Sequence, residues 1–407
     1  MPVFAANNNT SPQQVDVAAT ASTPQNLTQT ANMPGVETRD FELRQQAGQD
    51  TMAGQMFEIS VATEQAALRA LFDSLHGSRW RRGWNLQKTM RFQVNLGPAV
   101  PQYVIERRTL CGEFGVTCTS NGRVLRLELE SNGLFGSAAS AFDGLASLGE
   151  LEVLNLAFND IEGELPLELL ASFVRVIEVN LAGNALRGRL PVGLMSSALG
   201  LERLDLSYNM FDDTLRDNFV APSLRELQLS SNQLRGTVPM SLFERAPRLR
   251  LLYLDDNRLS GDLFPNTLTA LPQWSQLRHL CLSNNQLGGP LDRMVGGMSV
   301  WSNATSLRFV AVDGNEFSGA LPTVWFDRDV TPDMRTVLAF ENRLSGGSVS
   351  GAKLPPAFER LDVAQQRSPG GPIQCPTVTF APRGQVTKLS HVRCDNTPDG
   401  VAEALGA

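Results

Sequence analysis

From residue 123 onward the chain repeats itself, and no other feature restricts its folding so tightly. The segment Leu151-Glu-Val-Leu-Asn-Leu-Ala-Phe-Asn159 has the form L-x-x-L-x-L-x-x-N. The same frame returns with its asparagine at Asn132, Asn159, Asn184, Asn209, Asn232, Asn257, Asn285, Asn315 and Asn342. Successive spacings are 27, 25, 25, 23, 25, 28, 30 and 27 residues, and a tenth, degenerate copy runs through Leu361, Val363 and Gln366. A unit this short cannot bury its own apolar side, so stacked units must share one continuous core.

Each letter of the frame has a mechanical reason. The L-x-L portion alternates with period two, which makes a short strand with leucines inward and the intervening side chains outward. Stacked coils pair these strands into one long parallel sheet. The asparagine amide then serves backbone groups that the following turn leaves unpaired. A second signature follows in Ile161-Glu-Gly-Glu-Leu-Pro166, Leu186-Arg-Gly-Arg-Leu-Pro191, Leu234-Arg-Gly-Thr-Val-Pro239 and Phe317-Ser-Gly-Ala-Leu-Pro322. There glycine permits a positive-φ turn and proline ends pairing on the convex side. The expected fold is an α/β solenoid of about nine to ten coils. Its concave side is a parallel sheet and its convex side is irregular or 3-10 helical.

Around this array the chain divides into a polar N-terminal segment over 1–55, a cap over 56–122, repeats over 123–366, and a second cap and tail over 367–407. Residues 1–55 are rich in Ala, Asn, Gln, Thr and Pro, a composition that cannot offset its ordering entropy and reads as disordered. In the first cap Thr63 is the expected helix N-cap. Leu68, Leu71, Phe72 and Leu75 supply an apolar stripe at i, i+3, i+4 and i+7, and Gly77 closes the helix. Of five cysteines, Cys111 and Cys118 sit before the repeats, Cys375 and Cys394 after them, and Cys281 alone within one. That arithmetic suits two small disulfides and one free thiol in an oxidising compartment; the other reading is reduced thiols in a cytosolic protein.

Composition removes several functions. A net charge of −7 argues against nucleic acid. Arginine outnumbers lysine 32 to 3, a skew read as compositional bias and given no chemistry. No apolar run reaches the roughly 18–20 residues of a membrane span. The three histidines, His76, His279 and His391, fit no metal-ligand spacing, and nucleophile-elbow, phosphate-loop and dinucleotide motifs are missing. Neither a cofactor nor an enzymatic activity is expected.

The frame, the L-x-G-x-L-P signature and the flank before them together resemble a plant-type leucine-rich-repeat ectodomain. That group contains receptor-like proteins, receptor-kinase ectodomains and polygalacturonase-inhibiting proteins, and similar repeats occur in protist surface antigens. Ala67-Leu68-Arg-Ala-Leu71, then Trp80, Gly83 and Trp84, is similar to the family's N-terminal cap, and Cys111-Gly-Glu-Phe-Gly-Val-Thr-Cys118 to its C-x6-C element. The 26 residues between Trp84 and Cys111 depart from the family, which usually passes quickly between the two. The resemblance implies a right-handed superhelix that binds a protein or glycan partner outside the cell or at its surface. The alternative is a scaffold subunit of a larger intracellular or organellar assembly.

Binding side chains are sought at positions six, four, two and one before each frame asparagine, where the fold dictates no residue type. These give Arg126, Glu128 and Glu130 in the first coil, then Phe158, Glu178, Arg203, Asp205 and Tyr208. Later coils add Glu226, Gln228, Tyr253, Asp255, Asp256, His279 and Cys281, and finally Phe309, Asp313, Phe340 and Glu341. Exposed aromatics on such a face are the residue types enriched in binding hot spots. Tyr208, Tyr253 and Phe309 were expected to span roughly 20 Å of one sheet. Ice or wall-polysaccharide binding would need a regular Thr or Asn array, and these positions are too mixed for that. N-x-T/S sequons stand at Asn8, Asn9, Asn26 and Asn303, with Asn303 in an insertion over 294–305.

Overall fold

A computed structural model describes residues 60–94, 103–166, 173–191, 197–215, 220–345, 354–366 and 391–393, of which 89–94, 103–108 and 391–393 are described by backbone alone. All of them fall within one compact unit, Met52–Ala407. The polar segment 1–55, Cys375, Cys394 and the sequons at Asn8, Asn9 and Asn26 lie outside the described residues.

The frame builds what its period demands. Twelve strands form one sheet, from Val116–Cys118 through the ten coil strands, Val124–Glu128 first and Arg360–Asp362 last, to His391–Arg393. Every neighbouring pair in it is parallel except Val116–Cys118, which runs antiparallel to the first coil strand. The register is even: Glu226 faces Leu251, Leu251 faces His279, and His279 faces Phe309. Leucines three and five positions before each asparagine fill the interior, among them Leu206, Leu227, Leu254 and Leu280, each at most 1% exposed. Burying one such side chain contributes roughly 1.5–3 kcal/mol.

The asparagine ladder carries the turns. Asn232 Oδ1 accepts from Phe211 N at 3.0 Å, while its Nδ2 donates to the carbonyls of Leu206, Leu229 and Ser230 at 3.0, 3.1 and 3.2 Å. The same set recurs at Asn257, Asn285, Asn315 and Asn342. Gln366 takes the place in the tenth coil: its Oε1 accepts from Leu344 N and its Nε2 reaches Ala339 O and Val363 O. At the other end Asn132 turns to the cap, accepting from Arg82 N and donating to Arg82 O.

The side expected to be irregular is partly ordered. Two further four-stranded parallel sheets run along it, Phe135–Ser137 to Met210–Phe211 and Arg235–Gly236 to Glu316–Ser318. The L-x-G-x-L-P segments make them. Glycines at φ of 97° (Gly163), 82° (Gly188) and 77° (Gly236) sit among the strand residues, and the asparagine of the next coil fixes each entry, as Asn184 does for Ile161 N at 3.0 Å. Short helices follow, Ala138–Phe142, Ser241–Arg245 and the 3-10 turn Thr323–Phe326. Behind the last coils Trp274, Trp301 and Trp325 pack in file with centroids 4.6 and 4.7 Å apart.

The cap helix covers 60–74 and already runs through Thr63, which is therefore inside it rather than its N-cap. His76, not Gly77, adopts the left-handed conformation that ends it, at φ 55°. Gly77 has a different reason, since a Cβ there would lie 2.1 Å from the Phe72 ring. Phe72, Trp80 and Trp84 interlock, and Trp80 Nε1 and Trp84 Nε1 donate to the carbonyls of Leu75 and Phe114. Fully buried Glu64 ties the helix to the first coil, accepting from Arg123 Nε at 2.6 Å and Val124 N at 2.8 Å. The 26 extra residues before Cys111 contain an antiparallel hairpin, Thr89–Val94 with Tyr103–Arg108. Cys111 and Cys118 form a disulfide, and Cys281 is free.

Candidate binding face

The outward positions divide into three rows that differ in structure. Six and four residues before the asparagine lie the strand residues proper. The residue one before is no strand residue at all: it is left-handed in all ten coils, with φ from 51° to 64°. Phe158, Tyr208, Asp256 and Glu341 thus stand on the turn beyond the sheet, where the chain must reverse its twist to present the asparagine inward. Outside glycine and asparagine this conformation is uncommon. The Phe158 ring lies over Gly183, whose missing Cβ leaves room for it, since a Cβ there would be 2.5 Å away.

Most charges on the first coils neutralise one another. Arg126 holds Glu128 through Nε at 3.0 Å and Nη2 at 2.8 Å, and Arg203 holds Glu178 across adjacent strands. Glu130 accepts from Asn155 Nδ2 at 3.1 Å. Burial pushes the Asp205 carboxyl up despite its bond from Ser207 N. Glu226 and Gln228 are half-buried beside each other's strand neighbours.

In coils six to eight the face becomes aromatic. Tyr253, His279 and Phe309 stand on consecutive strands, half-buried: Tyr253 OH is 3.2 Å from His279 Nδ1, and the His279 and Phe309 rings stack at 5.8 Å. Desolvation, then the charges of Arg308, Arg278 and Arg335, holds the His279 imidazole below its ordinary value, which keeps it neutral at pH 7. Tyr208 and Phe340 join no ring pair among the described residues, so the aromatics form one strip of three rings rather than one file through Tyr208.

The acidic residues beside this strip are less open than the frame suggested. Asp313 is only 7% exposed and accepts from Ser283 Oγ at 2.7 Å; burial raises its carboxyl. Asp255 accepts from Ser230 Oγ at 2.6 Å, and Asp256 from Asn284 Nδ2 at 2.8 Å. Cys281 sits between them, its thiol pushed up to about 12 by burial and the Asp255 charge, so it is a poor nucleophile. Asn303 is half-buried and its Nδ2, the atom a glycan would occupy, donates to Pro272 O at 3.3 Å. Among the described residues no cluster of three His, Cys, Asp or Glu side chains could hold a metal ion, and no helix is long and apolar enough to cross a membrane.

A sheet-lined solenoid with a buried asparagine ladder and a paired-tryptophan cap defines a class, and the comparisons agree with it. Leucine-rich-repeat models match residues 200–259 and 276–298. Receptor-like protein 35 of Arabidopsis thaliana is 31% identical over 216 residues, 53% of this chain and 18% of that one. Receptor-like protein kinase BRI1-like 3 of the same plant is 30% identical over 47% of this chain and 14% of its own length. The chain thus spans under a fifth of these relatives. Among solved structures, a TDR receptor superposes with a TM-score of 0.51 at 25% identity, covering 61% of this chain and 39% of the receptor. A plant ice-binding protein reaches 0.56 over 84% of this chain and 98% of its own, at 17% identity, a likeness of fold alone. The chain is a leucine-rich-repeat protein, and its repeats are of the plant type found in receptor-like ectodomains.

Proposed function

We propose that this chain is a recognition protein, extracellular or at the cell surface, that receives a protein or peptide partner across its long sheet. One observation carries the reading: Tyr253, His279 and Phe309 line up on adjacent strands at positions where the frame requires no aromatic. Their rings offer a large, rigid, half-solvated contact area with a polar phenol and a neutral imidazole, which suits a hot spot. The Cys111–Cys118 bond fits an oxidising compartment, and the relatives' names, receptor-like protein and receptor-like protein kinase, fit the same reading. The domain limits at 55, 122 and 366 and the remaining outward residues are part of this proposal.

The test uses peptides enriched from a random display library on the intact chain. Amide exchange with such a peptide bound should slow at Leu251–Tyr253, His279–Cys281 and Phe309–Ala311. Slowing confined to the glycine-bearing strands on the opposite side would overturn the assignment.

A further inference from the structure

The residue seven before the frame asparagine, one step outside the candidate face, is arginine in five consecutive coils: Arg225, Arg250, Arg278, Arg308 and Arg335. The skew toward arginine over lysine thus has a structural address. These five residues are stacked through their backbones, each N–H donating to the carbonyl of the arginine one coil earlier at 2.7 or 2.8 Å. Their Cα atoms therefore rise in steps of about 4.8 Å, the spacing of paired strands. Arg225 is held by Glu202 at 3.0 Å and Arg308 by Asp333 at 2.9 Å. Arg250, Arg278 and Arg335 form no ion pair among the described residues; the first two are half-buried and the last is exposed. Three uncompensated guanidiniums along one rim of a chain with net charge −7 are a local anomaly. Their combined pull is felt at His279, whose proton affinity Arg308, Arg278 and Arg335 all depress.

We propose that this arginine file is a second binding site, for a linear acidic polysaccharide bearing a carboxylate or sulfate on each sugar. Guanidinium forks pair bidentately with such groups, which lysines do not match. An extended peptide presents same-face side chains roughly every 6.7 Å, out of step with the file, whereas a polymer with one anion per ring keeps pace with the strand spacing. Each contact is weak at a solvated rim, and the file acts by repetition along one ligand. The site is separate from the aromatic strip and does not rest on it.

Titration calorimetry of the intact chain with polymannuronate, neutral dextran, polyglutamate and single-stranded DNA tests the proposal. Polymannuronate should bind, with affinity falling as salt is raised. Replacing the three free residues together, Arg250→Gln, Arg278→Gln and Arg335→Gln, should lower that affinity about tenfold or more, since multivalent contacts fail together. Arg187→Gln with Arg235→Gln, on the opposite side, should leave it within about twofold, surface charges being screened over that distance. Should the triple variant not fold, Arg335→Gln alone, at an exposed position, should still weaken binding by about twofold to fourfold. Failure of polymannuronate to bind, equal binding of polyglutamate or DNA, or full affinity in the arginine variants overturns the proposal.

Discussion

At the scale of single residues, the asparagines are structural and the side chains beside them are free to vary. Asn285 serves Leu259 N, Leu254 O, Leu282 O and Ser283 O from a buried position. Asn285→Ala strands several buried backbone groups, each costing about 1–3 kcal/mol, so a loss of at least about 3 kcal/mol is expected in urea unfolding. A loss under about 1 kcal/mol would mean that water replaces the amide. Asp313 makes the opposite case. Its carboxyl is raised by desolvation in the folded state, so its contribution to stability is present below the ordinary Asp value and is lost as pH climbs through the raised one. Asp313→Asn should therefore gain on the wild type between pH 4 and pH 7, read from urea midpoints at both; a gap that narrows with rising pH contradicts the assignment. The ladder was legible in the letters, whereas the burial of Asp313 was not. Frame position says which way a residue points, but the Ser283 hydroxyl one coil earlier decides how far it is drawn in. Position one before the asparagine was misread for a related reason, because period two ends where the chain turns left-handed.

At the scale of elements, the cap is where local bonds matter most. Cys111 is buried against Gln65 and closes a short loop with Cys118, seven residues on. In the chain-entropy account a loop of that size is worth about 2–3 kcal/mol. Cys111→Ser should therefore melt earlier than wild type by that amount, and adding reductant to wild type should reproduce the shift. Equal melting of all samples would remove the argument for an oxidising compartment. The helix, the paired tryptophans and the cysteine pair were readable because each is a short local pattern. The hairpin Thr89–Arg108 was visible only as excess length, and the two smaller sheets were hidden because a two- to five-residue strand containing glycine carries little period. The arginine file was missed because arginine was counted over the chain rather than sorted by frame position.

At the scale of the whole molecule, a frame that fixes the interior leaves a long outer surface whose chemistry is set coil by coil. That division was apparent from the repeat alone. Which outer residues come together was not, because Tyr253, His279 and Phe309 are 26 and 30 residues apart and meet only through the strand register. The central claim is that this face, and not the opposite one, does the binding. Its most direct test measures the affinity of a library-selected peptide for three forms of the intact chain: wild type, Tyr253→Ala with Phe309→Ala, and Arg187→Ala with Arg235→Ala. The account predicts a loss of about 1–3 kcal/mol per aromatic removed, with melting nearly unchanged, and wild-type affinity for the arginine pair variant. Wild-type affinity in the aromatic variant together with a loss in the arginine variant would contradict it.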